Sequence, residues 1–76
     1  MSPAKETARR LLAAALQVEP GDVDPAAAIG RTERWDSLAH MRLMLSLEEH
    51  LGRSLGSEEM LAIESFADVI GVLEAR

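Results

Sequence analysis

The stretch DSLAHMRLMLSLEEHLG, residues 36–52, decides how the chain folds. Asp36 and Ser37 both carry short side-chain oxygens that can accept a free N–H in the first turn of a helix. Gly52 is the residue type that closes a helix, because it enters the left-handed conformation without a Cβ penalty. Between these two ends the apolar residues keep helical spacing. At about 100° per residue, Leu43, Leu47, Leu51, Met44 and Met41 fall within an arc of roughly 160°, the expected core face. His40 lies near the middle of that arc and is expected to be hydrogen-bonded at the edge of the interior. Arg42 and Glu49 fall on the opposite, polar side, and Leu38 and Leu45 fall there with them, seven residues apart and flanking Arg42. Such leucines are ordinary where another element covers them. Beside a capping serine they also have the pattern of a docking strip for a partner protein.

Outward from this helix, the flanking blocks are helical too. Toward the N-terminus, Leu11, Leu12, Ala15 and Leu16 recur at helical spacing. Ser2 is the expected cap and Pro3 the first helical residue. The helix is expected from Pro3 to Val18, ended by Pro20 and Gly21 in EPGD. The connection from Gly21 to Trp35 is long, a length usually kept for function or for packing over a core. Val23 and Ile29 are its expected apolar anchors, and Trp35 is expected to fix the approach to Ser37. Toward the C-terminus, SEEML predicts a short helix capped by Ser57, with Glu58 and Glu59 at the positive end of its dipole. A last helix opens at Ser65, with Asp68 at capping-box spacing, and buries Phe66, Val69, Ile70 and Leu73. Met41, Met44 and Met60 are expected to fill gaps in the core. The prediction is an all-α, four-helix bundle with a short third helix, forming a single domain over residues 1–76.

Composition narrows the function. A chain of 76 residues with 47% hydrophobic residues can form a globular core but encloses no large substrate by itself. The net charge of −5 argues against a nucleic-acid partner, which needs clustered Lys and Arg, and against an anionic membrane surface. The longest apolar run near the start, LLAAAL, is far short of a membrane span of about 20 residues. A soluble, cytoplasmic monomer is the expectation. There is no Cys, so neither a disulfide framework nor a thiolate nucleophile is available.

Ser37 can be weighed against that background. As Asp36 is an equally good cap, the serine is partly redundant for that role. A helix start favours an anion through its free N–H groups and its dipole, so a phosphodiester on the serine oxygen would sit in a favourable field.

At these residues the sequence resembles the acyl carrier proteins and the similar aminoacyl and peptidyl carrier domains. The resemblance starts from DSL at residues 36–38, continues through LMLSLEEHLG, and extends over SLGSEEMLAIESFADVI, residues 54–70, without gaps. It implies that Ser37 receives a 4′-phosphopantetheine arm from coenzyme A, with Asp36 and Leu38 completing the attachment motif. It implies a phosphopantetheinyl transferase, an acyl- or aminoacyl-loading enzyme and a downstream acyltransferase or synthase as partners, and the polar face of the helix offers them Leu38, Arg42 and Leu45, with Glu48 and Glu49 farther along, as the expected contact residues. The thiol of the arm would carry acyl or aminoacyl groups as thioesters, which fits a chain that has no sulfur nucleophile of its own.

The chain departs from the family pattern in its charge. Many fatty-acid carriers have an acidic helix directly after the attachment serine, whereas here Ala39, His40 and Arg42 precede Glu48 and Glu49. Residues 36–55 hold three acids and two bases, a balance of −1, and residues 56–76 hold five acids and one base, a balance of −4. That shift favours a specialised pathway over bulk fatty-acid synthesis. Two other functions compete. Asp36, Ser37 and His40 contain the residue types of a hydrolase triad, but Asp36 adjoins the serine and is poorly placed to orient the histidine, and no oxyanion glycines flank it. The other alternative is an unmodified helical protein-interaction module in which DSL is only a cap.

Overall fold

The computed structural model describes residues 3–75. Its helices are α1, Pro3–Leu16, α2, Ser37–Leu51, α3, Ser57–Ala62, and α4, Phe66–Glu74, with a 3-10 turn at Pro20–Asp22. The expected all-α bundle with a short third helix is what forms. Ser2, the expected cap of α1, lies outside the described residues. Among those residues no helix is long and apolar enough to cross a membrane.

The end of α1 differs from expectation. It stops at Leu16, two residues before Val18, because Gln17 turns left-handed at φ 60°. The Val18 N–H then bonds the Ala13 carbonyl at 3.0 Å and the Gln17 N–H bonds the Ala14 carbonyl at 3.3 Å. This pair of bonds is a Schellman closure, which satisfies two of the carbonyls a helix end leaves open. Pro20 and Gly21 therefore begin the 3-10 turn instead of breaking the helix.

Helix α1 packs against α2 and α4, and the core lies among these three helices. Leu12, Leu43, Leu47 and Val69 are fully buried within it. The buried face of α2 is Ala39, Leu43, Met44 and Leu47, with Leu51 half-buried. Met41, expected in the core, is instead 60% exposed. It lies at the far edge of the apolar arc, and the buried arc is centred nearer Ala39, whose small side chain carries little hydrophobic weight. Met44 does fill the core and Met60 packs against it half-buried. Ile70 is likewise half-buried, while Phe66, Val69 and Leu73 of α4 are buried as expected.

The connection between α1 and α2 is held down along its length. Val23, Ala27 and Trp35 are buried and Ile29 is half-buried. An isolated antiparallel bridge joins Ala28 to Ser65. In it the Ile29 N–H donates to the Glu64 carbonyl at 2.8 Å and the Phe66 N–H to the Ala27 carbonyl at 2.9 Å. Ser65 caps α4 by accepting the Asp68 N–H at 3.1 Å, and Asp68 in turn accepts from the Glu64 N–H at 3.0 Å.

Helix α3 buries none of its residues. Its cap position is Gly56, and Ser57, expected as the cap, is the first residue inside the helix. Glu59 takes over the work at this end: its carboxylate accepts the Gly56 N–H at 3.1 Å and meets the Arg53 guanidinium through two bonds of 3.1 and 3.0 Å. The Arg53 hydrogen bonds, followed by the Gly56 N–H, hold the Glu59 carboxyl down from an ordinary 4.5 to about 2. A carboxyl depressed in the folded state contributes stability above its unfolded value, and that contribution is lost as pH falls from about 4.5 toward about 2. Urea titrations between pH 6 and 3 should therefore show a steeper loss of stability for the wild type than for Glu59→Gln, with the gap narrowing in high salt because the pair is exposed. Parallel curves for the two proteins would count against this role for Glu59.

Candidate functional site at the start of the second helix

Asp36 is extended, at φ −98° and ψ −173°, and its Oδ1 accepts the Ala39 N–H at 2.8 Å. Its carbonyl accepts the His40 N–H at 2.9 Å, the first bond of the helix. Asp36 is thus the cap, and Ser37, the first helical residue, is exposed. The redundancy between the two residues is resolved in favour of a serine hydroxyl that does no capping. At the other end Gly52 is left-handed, at φ 72°, and closes α2 as expected.

Beside Ser37 runs an open groove of about 310 Å3 between α2 and α3. Its walls are Ser37, His40, Met41 and Met44 from α2, Met60 and Leu61 from α3, and Ile29, Ile63 and Glu64 from the connections. A second recess, of about 350 Å3, lies along α4 and is lined by Ala67, Gly71, Val72 and the Arg53–Glu59 pair. It does not include Ser37, so the smaller groove is the one with chemistry at its mouth.

His40 sits where expected, half-buried and hydrogen-bonded. Trp35 Nε1 donates to its Nδ1 at 3.0 Å, and its Nε2 lies 3.3 Å from the Met60 carbonyl. Both ring nitrogens are engaged away from Ser37, which removes the general base from any hydrolase triad. Trp35 is buried at 2% exposure and anchors the loop that leads into Asp36.

The expected partner residues divide into two groups. Leu38 and Leu45 are 64% and 60% exposed, and Glu49 is exposed. Arg42 and Glu48 are half-buried and occupied. Arg42 Nε and Nη2 both donate to the Ala15 carbonyl, at 3.1 and 2.9 Å. Glu48 accepts the Leu55 N–H at 2.7 Å and ties the loop after α2. Arg42 was expected on the wet face, but that flank of α2 runs along the end of α1, where the Schellman closure leaves Ala15 unpaired and no basic residue stands in the last turn. The guanidinium supplies both the donor and the positive charge that a helix C-terminus favours. Arg42→Met, which keeps the aliphatic stem, should destabilise the protein by about 1–3 kcal/mol by orphaning that carbonyl. Thermal melts check this, and an unchanged melting temperature would show the contact to be dispensable.

Residue-pattern reasoning missed Met41 and Leu61, 60% and 78% exposed. Met41 lies on the wheel within about 60° of Leu38 and Leu45, so the three form one stripe along α2. Leu61, on α3, shares the groove wall with Met41. Among the described residues no group of three or more His, Cys, Asp or Glu is placed to hold a metal. A family model described as a phosphopantetheine attachment site matches residues 6–73 of the chain.

Proposed function

Because the chain belongs to the phosphopantetheine-attachment family, whose members are carriers and not catalysts, we propose that Ser37 bears its covalent 4′-phosphopantetheine arm. The observation that carries this is the division of labour at the start of α2: Asp36 caps the helix through Ala39 and leaves the Ser37 hydroxyl exposed. In the attachment the serine oxygen bonds to the phosphorus of coenzyme A next to the pantetheine. The bond to the departing adenosine 3′,5′-bisphosphate breaks, and the hydroxyl proton is released. The product is an anion at the first residue of a 15-residue helix, where backbone N–H groups and the dipole favour it.

The arm then carries acyl or aminoacyl cargo as thioesters and raises its concentration at each partner enzyme in turn. Loading and downstream enzymes dock on the stripe of Leu38, Met41 and Leu45. With Arg42 turned to Ala15, these three apolar side chains form the contact, and the exposed charge beside them is Glu49. A non-acidic first half of α2 supports service in a specialised pathway, in the cytoplasm with the transferase that loads it. The test is the intact mass after incubation with a phosphopantetheinyl transferase and coenzyme A. A gain of one phosphopantetheine supports the proposal. An unchanged mass with several broad-specificity transferases favours the unmodified interaction module.

A further inference from the structure

We infer that His40 is a positioning residue for arm attachment, fixing Trp35, and through it the Asp36–Ser37 turn, against α2 and α3. The inference rests on the reading that Ser37 bears the arm. Trp35 is buried, and its one side-chain donor goes to His40 Nδ1 at 3.0 Å. The two rings also stack, with centroids 6.1 Å apart and planes inclined by 28°. Because Nδ1 accepts, the imidazole proton is on Nε2, which faces the Met60 carbonyl of α3 at 3.3 Å. One side chain therefore braces three segments: the loop entering the site, the helix bearing Ser37, and the helix across the groove.

The brace adds to the buried Leu55 and Ile63 that flank α3 and to the Glu48 bond that ties the loop before it. Helix α3 is six residues long and buries none of them. Trp35 is followed directly by the cap and the attachment serine, so any tilt of the indole is passed to the Ser37 hydroxyl. Reaction rates are sensitive to displacements of that kind.

The arrangement also depends on protonation state. A second proton, on Nδ1, would set an N–H against the indole N–H, so only the neutral ring can hold Trp35. Ionisable groups beside the ring include Glu64, on the groove wall, and Asp36, the cap of α2, which is bonded to Ala39. The α3 residues facing it, Met60 and Leu61, are uncharged.

The experiment measures kcat/KM for arm attachment to the full chain from about pH 8 down to about pH 5.5. Two variants separate the two bonds. His40→Asn places an amide oxygen near the position of Nδ1 and can accept from Trp35 at any pH. His40→Gln reaches toward Met60 but cannot accept from Trp35. The Asn variant should stay within about twofold of wild type at pH 8 and should lose less toward pH 5.5, the ratio of the two proteins cancelling the transferase's own pH profile. The Gln variant should lose roughly tenfold at every pH, and that loss should vanish in a Trp35→Phe background, which has no indole donor. Trp35 is the only tryptophan, so its emission reports the contact directly and should change in His40→Gln but not in His40→Asn. Should the Gln variant fail to fold, the pH-dependent ratio of wild type to His40→Asn still decides. A wild type that loads while that ratio is flat, or a folded Gln variant that loads normally, overturns the inference alone. A wild type that never gains the arm overturns the Ser37 reading with it.

Discussion

Ser37→Ala is expected to gain no mass at all when incubated with a transferase and coenzyme A, against one phosphopantetheine on every wild-type molecule. The effect is complete because the substitution removes the oxygen that forms the new bond, and no neighbouring hydroxyl can take its place at the start of α2. It should leave folding almost untouched, since the cap is Asp36 and the serine side chain is exposed. Asp36→Ala is the informative contrast. Loss of its bond to the Ala39 N–H should destabilise the protein by about 1 kcal/mol. The hydroxyl remains, so the full mass gain should still be reached, but more slowly. A Ser37→Ala protein that takes up the arm would place the attachment elsewhere in the chain.

The largest effect on stability is expected at Leu47 or Leu43, both with no exposed surface. Truncating either to Ala leaves a cavity between α2 and its neighbours and should cost about 2–5 kcal/mol. Against a total of about 5–15 kcal/mol for a native protein, that is enough to leave much of the variant unfolded at moderate temperature. Leu38→Ala and Leu45→Ala act at exposed positions, where changes usually stay within about 0.5 kcal/mol, yet they should slow loading by partner enzymes. Urea titrations and loading rates, measured on the same four variants, check both halves. Leu38 and Leu45 variants that lose as much stability as Leu47→Ala while loading normally would move the docking face away from α2.

What could be read from the residues alone was what short-range chemistry decides. The Gly52 stop, the Ser65 cap and the burial of Phe66, Val69 and Leu73 each depend on neighbours within a turn or two and form as expected, and the start of α2 at Asp36–Ser37 was legible though not which of the two caps it. His40 and Trp35 were also legible, because a polar residue on an apolar arc and a lone indole beside it both need partners. Arg42, Met41, Glu48 and Ser57 were not. Arg42 answers to a carbonyl 27 residues earlier, exposed by a left-handed Gln17 that no local pattern announces. Met41 belongs to the same apolar arc as Leu43, and only the placement of α1, α3 and α4 shows where burial stops. Glu48 bonds the loop beyond its own helix, and Ser57 yields the cap position because Glu59 and Arg53 organise the turn around Gly56. In each case the deciding atom lies outside the window in which periodicity or capping preference operates.

The small third helix has a thermodynamic consequence. With none of its own residues buried, it draws its hold from an exposed Arg53–Glu59 pair, the half-buried Met60, the His40 contact and the buried Leu55 and Ile63 on either side of it, while the rest of the molecule is held by apolar contact among α1, α2 and α4. A six-residue helix has too few internal bonds to persist alone. Its detachment is therefore expected to be a local opening of lower free energy than global unfolding, the buried Leu55 and Ile63 marking where the opening stops. This short helix forms one wall of the groove beside Ser37, and the width of that groove can fluctuate while the helix that presents the serine stays intact.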